Sequence, residues 1–148
     1  MGFKTAVWIS NYSVFSEEMN EWGLDELRTY FKARWKRSRK VEKRLLYRSL
    51  LDYVSLGRKP MFGLIDSSTI KSLLDDGFLV ICPVHVSTFR RRSGRDKGHF
   101  VLLTGYGADE FFVNDPYPHA KGRITIRHEH LLASLFKLKD PSIVGVKG

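Results

Sequence analysis

Two apolar runs in the second half of this chain constrain it more than anything else in the sequence. Residues 78–84 (FLVICPV) and 100–106 (FVLLTGY) are short, unbroken and rich in β-branched and aromatic side chains. Runs of that length and composition predict buried strands rather than helices. Gly107-Ala108-Asp109-Glu110 reads as a hairpin turn after the second run, with residues 111–114 returning beside it. Strands are also expected at 3–9 (FKTAVWI), 123–126 and 142–146, and an amphipathic helix over 128–138.

Helices come earlier. Ser16 is a candidate N-cap, with Glu17 and Glu18 placed to suit the helix dipole. Trp22, Leu27, Phe31 and Trp35 then recur at roughly helical spacing, and Gly23 splits the stretch into a short helix, a break and a longer helix. Residues 41–56 carry Leu45, Leu46, Leu50, Tyr53 and Val54 at spacings of three and four, closed by Gly57 and Pro60. Ser67, Ser68 or Thr69 caps a short helix that ends at Gly77. A strand, then helices, then a meander of antiparallel strands implies an α+β fold. Its 148 residues suffice for one real core and are short for two, and no linker or repeat interrupts them, so one domain over 1–148 is expected.

Lys and Arg outnumber Asp and Glu by 25 to 16, a net charge of +9. That favours acidic partners: nucleic acid, anionic lipid or acidic peptide. Lys32, Arg34, Lys36, Arg37, Arg39, Lys40, Lys43 and Arg44 crowd into thirteen residues. They form either a solvated helical face or a surface for phosphate or acid groups. No RNA-binding or helix-turn-helix pattern is visible, which argues against nucleic acid. No apolar run approaches the ~20 residues that span a bilayer, so no membrane partner is expected. The N-terminus shows no signal-peptide pattern, and a reducing, cytoplasmic setting is the default. The single cysteine, Cys82, excludes an intrachain disulfide and any Cys-rich zinc site. No cofactor is called for.

The chemistry concentrates in residues 98–106 and 113–116 (VNDP). His99 opens one strand and Asp115 closes the next. In an antiparallel hairpin those two ends lie side by side. A carboxylate on one imidazole nitrogen fixes the tautomer and leaves the other nitrogen to act as a base. Asn114 is an alternative orienting group. A plain structural His–Asp pair at a sheet end fits the same spacing. Cys82, inside an apolar strand, is expected to be inert, and nothing nominates Ser87 or Thr88, which sit on a polar loop. His128 and His130, with His119, are weighed as metal ligands and set aside, because i and i+2 on a helix do not face each other. Arg90, Arg91, Arg92, Arg95 and Lys97 precede His99 on a loop with Gly94. They are either solvated or a charged lip that selects acidic peptide or phosphate groups.

The run GHFVLLTGYGADEFFVNDPYP resembles the His/Asp signature of C39-like cysteine peptidases, which are papain-like in fold. The capped helix and LLDDGFLVICPV that precede it are similar to that family's approach to the signature. The likeness extends from about residue 3 to the C-terminus and is strongest over 65–118. It implies His99 as general base, Asp115 as its orienting partner, and thiol-mediated cleavage of peptide or amide bonds in a peptide or protein. It also implies a nucleophilic Cys at the start of an N-terminal helix, preceded by a Gln. This chain has neither, and its first strand resembles one that follows the Cys-bearing helix in the family. The expectation is a domain without its nucleophile: truncated, completed by a partner chain, or a non-catalytic relative with little or no peptidase activity. The alternatives are a binding module for peptides or acidic partners, and a transglutaminase-like or acyltransferase relative. Without a covering helix, an apolar patch should be exposed, filled by the helices of residues 16–56, or buried in a homodimer.

Overall fold

A computed structural model describes residues 2–94, 97–117 and 122–148. Five α-helices and seven strands make up a mixed α+β structure along it. The strands are β1 (Lys4–Ile9), β2 (Met61–Phe62), β3 (Leu79–His85), β4 (Gly98–Tyr106), β5 (Glu110–Asn114), β6 (Arg123–Arg127) and β7 (Ser142–Lys147). They form one sheet in the order β2-β1-β7-β3-β4-β5-β6. The β1–β2 pair is parallel and every other pair is antiparallel.

Alternation of side chains along each strand divides the core in two. Val80, Cys82 and Val84 of β3, Val101 and Leu103 of β4, and Phe111 and Val113 of β5 point to one face. There they meet Ile70 of α3 (Ser67–Asp75), Phe89 of α4 (Val86–Arg90), and Leu131 and Leu135 of α5 (His128–Phe136). At the other end of the sheet, Ile9 and Phe62 bury against α1 (Leu24–Arg37) and α2 (Val41–Ser55) through Leu27, Phe31, Tyr47, Leu50 and Val54. Phe15 fills the middle of that cluster, with Phe31 and Tyr47 edge-on at 6.1 and 6.2 Å.

The face opposite the α3–α5 layer is open beyond the reach of α1 and α2. Leu79, Ile81, Phe100 and Phe112 are exposed on it, Phe100 at 62%. The chain presents 9391 Å² of accessible surface. A compact monomer of its 17.1 kDa would present about 7,750 Å². The helices of residues 16–56 therefore fill only one end of the sheet.

The local chemistry explains most boundaries. The break expected at Gly23 is there: a 3₁₀ turn (Glu17–Asn20) precedes α1, and Glu26 Oε2 accepts the Gly23 N–H at 2.7 Å. Gly77 ends α3 with φ +81, a conformation that strains any other L-residue, and turns the chain into β3. The cap of α3 is Asp66, one residue before the Ser67–Thr69 cluster; its Oδ1 accepts the Thr69 N–H at 2.8 Å and holds the carboxyl below its usual range. Gly105 sits at a bulge between β4 and β5, where a Cβ would meet the Phe112 ring at 3.0 Å. Two elements escape the sequence pattern. β2 has only two residues. The stretch expected as a polar loop around Ser87 and Thr88 is the short helix α4, capped by His85, whose Nδ1 accepts the Thr88 N–H at 3.3 Å.

The two faces differ in what a truncation should cost. Phe31→Ala, in the closed aromatic cluster, should lower stability to urea by about 3–5 kcal/mol. Phe100→Ala, on the open face, should change it by no more than about 0.5 kcal/mol. A large loss at Phe100 would show that the open face is covered in solution.

Candidate active site

The pairing of β3 with β4 places Val84 opposite His99 and His85 opposite Gly98. His99 therefore stands at the end of the sheet, on the helix-covered face, where its side chain keeps 19% of its exposure. Pairing of β4 with β5 sets Leu102 opposite Asn114. The next residue, Asp115, then turns back to the face that His99 occupies. The His99 Nε2–H donates to Asp115 Oδ1 at 2.7 Å. The carboxylate only accepts, so the imidazole nitrogen must carry the proton.

Asp115 is 5% exposed, and two further contacts hold its charge. The Tyr117 backbone N–H donates to the same Oδ1 at 3.0 Å, an Asx turn across Pro116. The Arg90 guanidinium lies 3.6 Å from Oδ2. Burial on its own pushes this carboxyl up. The His99 hydrogen bond, the Tyr117 N–H and the charges of His99 and Arg90 together outweigh it, and the group titrates below its usual range. The Tyr117 ring stands edge-on to His99, centroids 6.0 Å apart, and Arg90 packs over it at 4.2 Å. His99, Asp115, Arg90 and Tyr117 thus form one cluster, contributed by β4, the ends of β5 and α4, and the turn after β5.

The other sequence candidates fall elsewhere. Asn114 points to the opposite face and lines a hollow there with Thr104 and Phe112, so it is a neighbour of Asp115 in sequence and not in space. Of the basic stretch expected as a lip, Arg90 is drawn into the cluster. Arg91 ends α4 in the left-handed region at φ 51, Arg92 and Lys97 are exposed, and Arg95 lies outside the described residues. Cys82 shares the face of His99 but pairs with Val101, deeper in the sheet. It is fully buried, and burial pushes its thiol up to about 12. Thr88 is engaged with His85 at 2.9 Å. His128 packs at a tilt against Phe111 at 4.3 Å, His130 reaches the Phe89 carbonyl at 3.3 Å, and His119 is outside the described residues. Among the described residues no three His, Cys, Asp or Glu side chains are grouped to hold a metal.

Sequence reasoning missed Tyr117, and it placed Arg90 on a lip beside His99 without its contact to Asp115. The Asp-Pro dipeptide was the available signal for the first, since it favours a turn that returns the next N–H to the carboxylate. Nothing local marks that contact, because it depends on how α4 packs against β3 and α5.

The mixed α+β structure thus carries a His–Asp pair at the end of two central strands. The model of the peptidase C39-like family matches residues 46–136, more than half of the chain and both members of the pair. The chain belongs to the peptidase C39-like family. No curated protein and no solved structure matches it.

Two outcomes follow. Because the folded carboxyl titrates below its unfolded value, the stability that Asp115 contributes is complete above the ordinary pKa of about 4 and drains away as pH falls through the folded value. Asp115→Asn should therefore cost about 1–3 kcal/mol near neutral pH, with the difference shrinking in acid, as read by urea unfolding across that range. Cys82 should resist thiol-reactive disulfide reagents in the native protein and react at once when guanidinium is added.

Proposed function

We propose that this domain carries the base half of a papain-like thiol-hydrolase centre, with His99 as general base and Asp115 as its orienting partner. We propose further that these 148 residues by themselves hydrolyse no peptide bond. The contact between His99 Nε2 and the buried Asp115 carboxylate carries the first part. It fixes one tautomer, stabilises the imidazolium, and leaves Nδ1 as the nitrogen that takes a proton from a nucleophile. In thiol hydrolysis the thiolate attacks the amide carbonyl, and the imidazolium protonates the departing amine. Water, deprotonated by the same imidazole, then releases the acyl group from sulfur.

The thiol inventory supports the second part. Cys82 is the sole cysteine, and it is buried, protonated at neutral pH and seated among Val80, Val84 and Val101. Such a thiol has neither the thiolate character nor the access that attack requires. An exposed thiol delivered beside His99 Nδ1, by another segment or another chain, would complete the centre.

A quenched fluorescent casein, incubated with the chain in reducing buffer, tests this. The expected result is turnover no faster than that of His99→Ala. Cleavage that disappears in both His99→Ala and Cys82→Ser would overturn the claim of inactivity and make Cys82 the nucleophile. Cleavage lost in His99→Ala but kept in Cys82→Ser would assign a hydroxyl nucleophile instead.

A second reading, that the site holds a peptide without cutting it, draws on the same missing thiol and on Arg90 packed over Tyr117 at the site's edge. Acidic peptides held by such basic groups should release steeply as salt is raised, whereas peptides held by apolar and backbone contacts should respond weakly.

A further inference from the structure

The charge of this protein is not spread over it. Residues 28–48 hold ten Lys and Arg against Glu42 alone, and the remaining 127 residues are balanced, fifteen against fifteen. A net charge of +9, equal to that of the whole chain, therefore sits on residues 28–48, the facing parts of α1 and α2 and the turn between them. Both helices turn their apolar sides inward, and Lys32, Lys36, Arg37, Arg39, Lys40, Lys43 and Arg44 are exposed around the turn between them. Among the described residues none of these seven forms an ion pair; of the acids nearby, Glu42 is taken by Lys139 at 3.1 Å and Asp140 accepts from Asn11.

The same tip carries two apolar side chains where a solvated face should have none. Val41 is 72% exposed and Leu45 64%. One turn apart, they form a ridge on the side of α2 opposite buried Tyr47, Leu50 and Val54. An apolar ridge ringed by cations matches a surface that is anionic outside and apolar a few ångströms beneath. It does not match nucleic acid, whose phosphates offer the ridge nothing. The aromatic faces that would stack on bases are already occupied: Arg48 lies over Trp35 at 4.9 Å, and Arg34 lies over Tyr30 and Tyr47, each at 5.7 Å.

We propose that the α1–α2 tip docks this protein on anionic phospholipid surfaces, with Val41 and Leu45 entering the headgroup layer and the surrounding Lys and Arg pairing with lipid phosphates and carboxylates. Such peripheral contact needs no spanning helix, and no helix among the described residues is long and apolar enough to be one.

Vesicle sedimentation with the full chain tests it, using phosphatidylcholine alone and phosphatidylcholine with about one-third phosphatidylserine. The protein should sediment with the anionic vesicles, not the neutral ones, and should be released by about 0.5 M salt. Reversing Arg39, Lys40, Lys43 and Arg44 to Glu should weaken binding by about a hundredfold or more. Val41→Ser with Leu45→Ser leaves the charge unchanged and should weaken it by about tenfold. Far-ultraviolet circular dichroism of both variants should match that of the unmodified chain, since every altered side chain is exposed. A tryptophan at position 45 (Leu45→Trp) reports insertion without removing apolar surface; its emission should shift to the blue with anionic vesicles only. Failure to sediment with anionic vesicles, or no shift at position 45, would overturn the proposal. Tighter binding to a duplex DNA of about 20 base pairs than to the vesicles at equal salt would overturn it in favour of nucleic acid.

Discussion

The pairing of β3 with β4 is the contact on which the rest of the structure depends. Six residue pairs, from Val80 with Leu103 to His85 with Gly98, lock the two strands in register. A slip of one residue would turn the inward set of one strand, either Val80, Cys82 and Val84 or Val101 and Leu103, out of the core. The same register decides where His99 stands, because it is the residue opposite Val84, the last buried apolar residue of β3. The helix-covered face then supplies the low-dielectric side of the site, and the end of the sheet supplies the wet side. The general base proposed for His99 must be both oriented and reachable, and that boundary offers both.

Asp115 shows how opposing effects settle at such a boundary. Burial favours the neutral acid, yet the carboxylate is the form that His99, the Tyr117 N–H and Arg90 all prefer. Each partner arrives from a different direction, so one oxygen takes two donors and the other faces a guanidinium. A carboxylate supported in this way stays charged when its neighbour gains a proton, which an orienting partner must do. Cys82 illustrates the reverse case. It has burial and no compensating cation, so its thiol stays neutral. Two ionisable groups on the same sheet face are thereby driven apart, one toward charge and one away from it.

The molecule is lopsided in two further respects. Helices cover one face along β3–β6, while on the other face α1 and α2 close only the β1–β2 end. Charge sums to zero outside residues 28–48 of that helical hairpin, and within them it reaches +9. Folding explains neither asymmetry. An open apolar face adds nothing to the stability of an isolated chain, and like charges around one turn repel. Surfaces with those properties gain only when something is set against them.

Much of this was legible in the chain itself. Unbroken apolar runs marked β3 and β4, and helical spacing marked α1, α2 and α5, since period and composition act over a few residues at a time. Asp-Pro and the His at a strand start marked the candidate pair, and a resemblance carried by those residues led to the right family. α4 was not legible, because a five-residue helix held by a His85 cap has no period to read. The Asp66 cap was displaced by one residue from the expected one, a choice among adjacent oxygens that only the closed turn makes. What the sequence determined alone is therefore local: which segments are strand or helix, where the charge lies, and that a single buried-type cysteine is present. Tertiary structure decided that His99 meets Asp115, that Asn114 faces away, and that Arg90 and Tyr117 join them. Those are relations between segments set by register, strand alternation and the folding back of α4, and no window of neighbouring residues contains them.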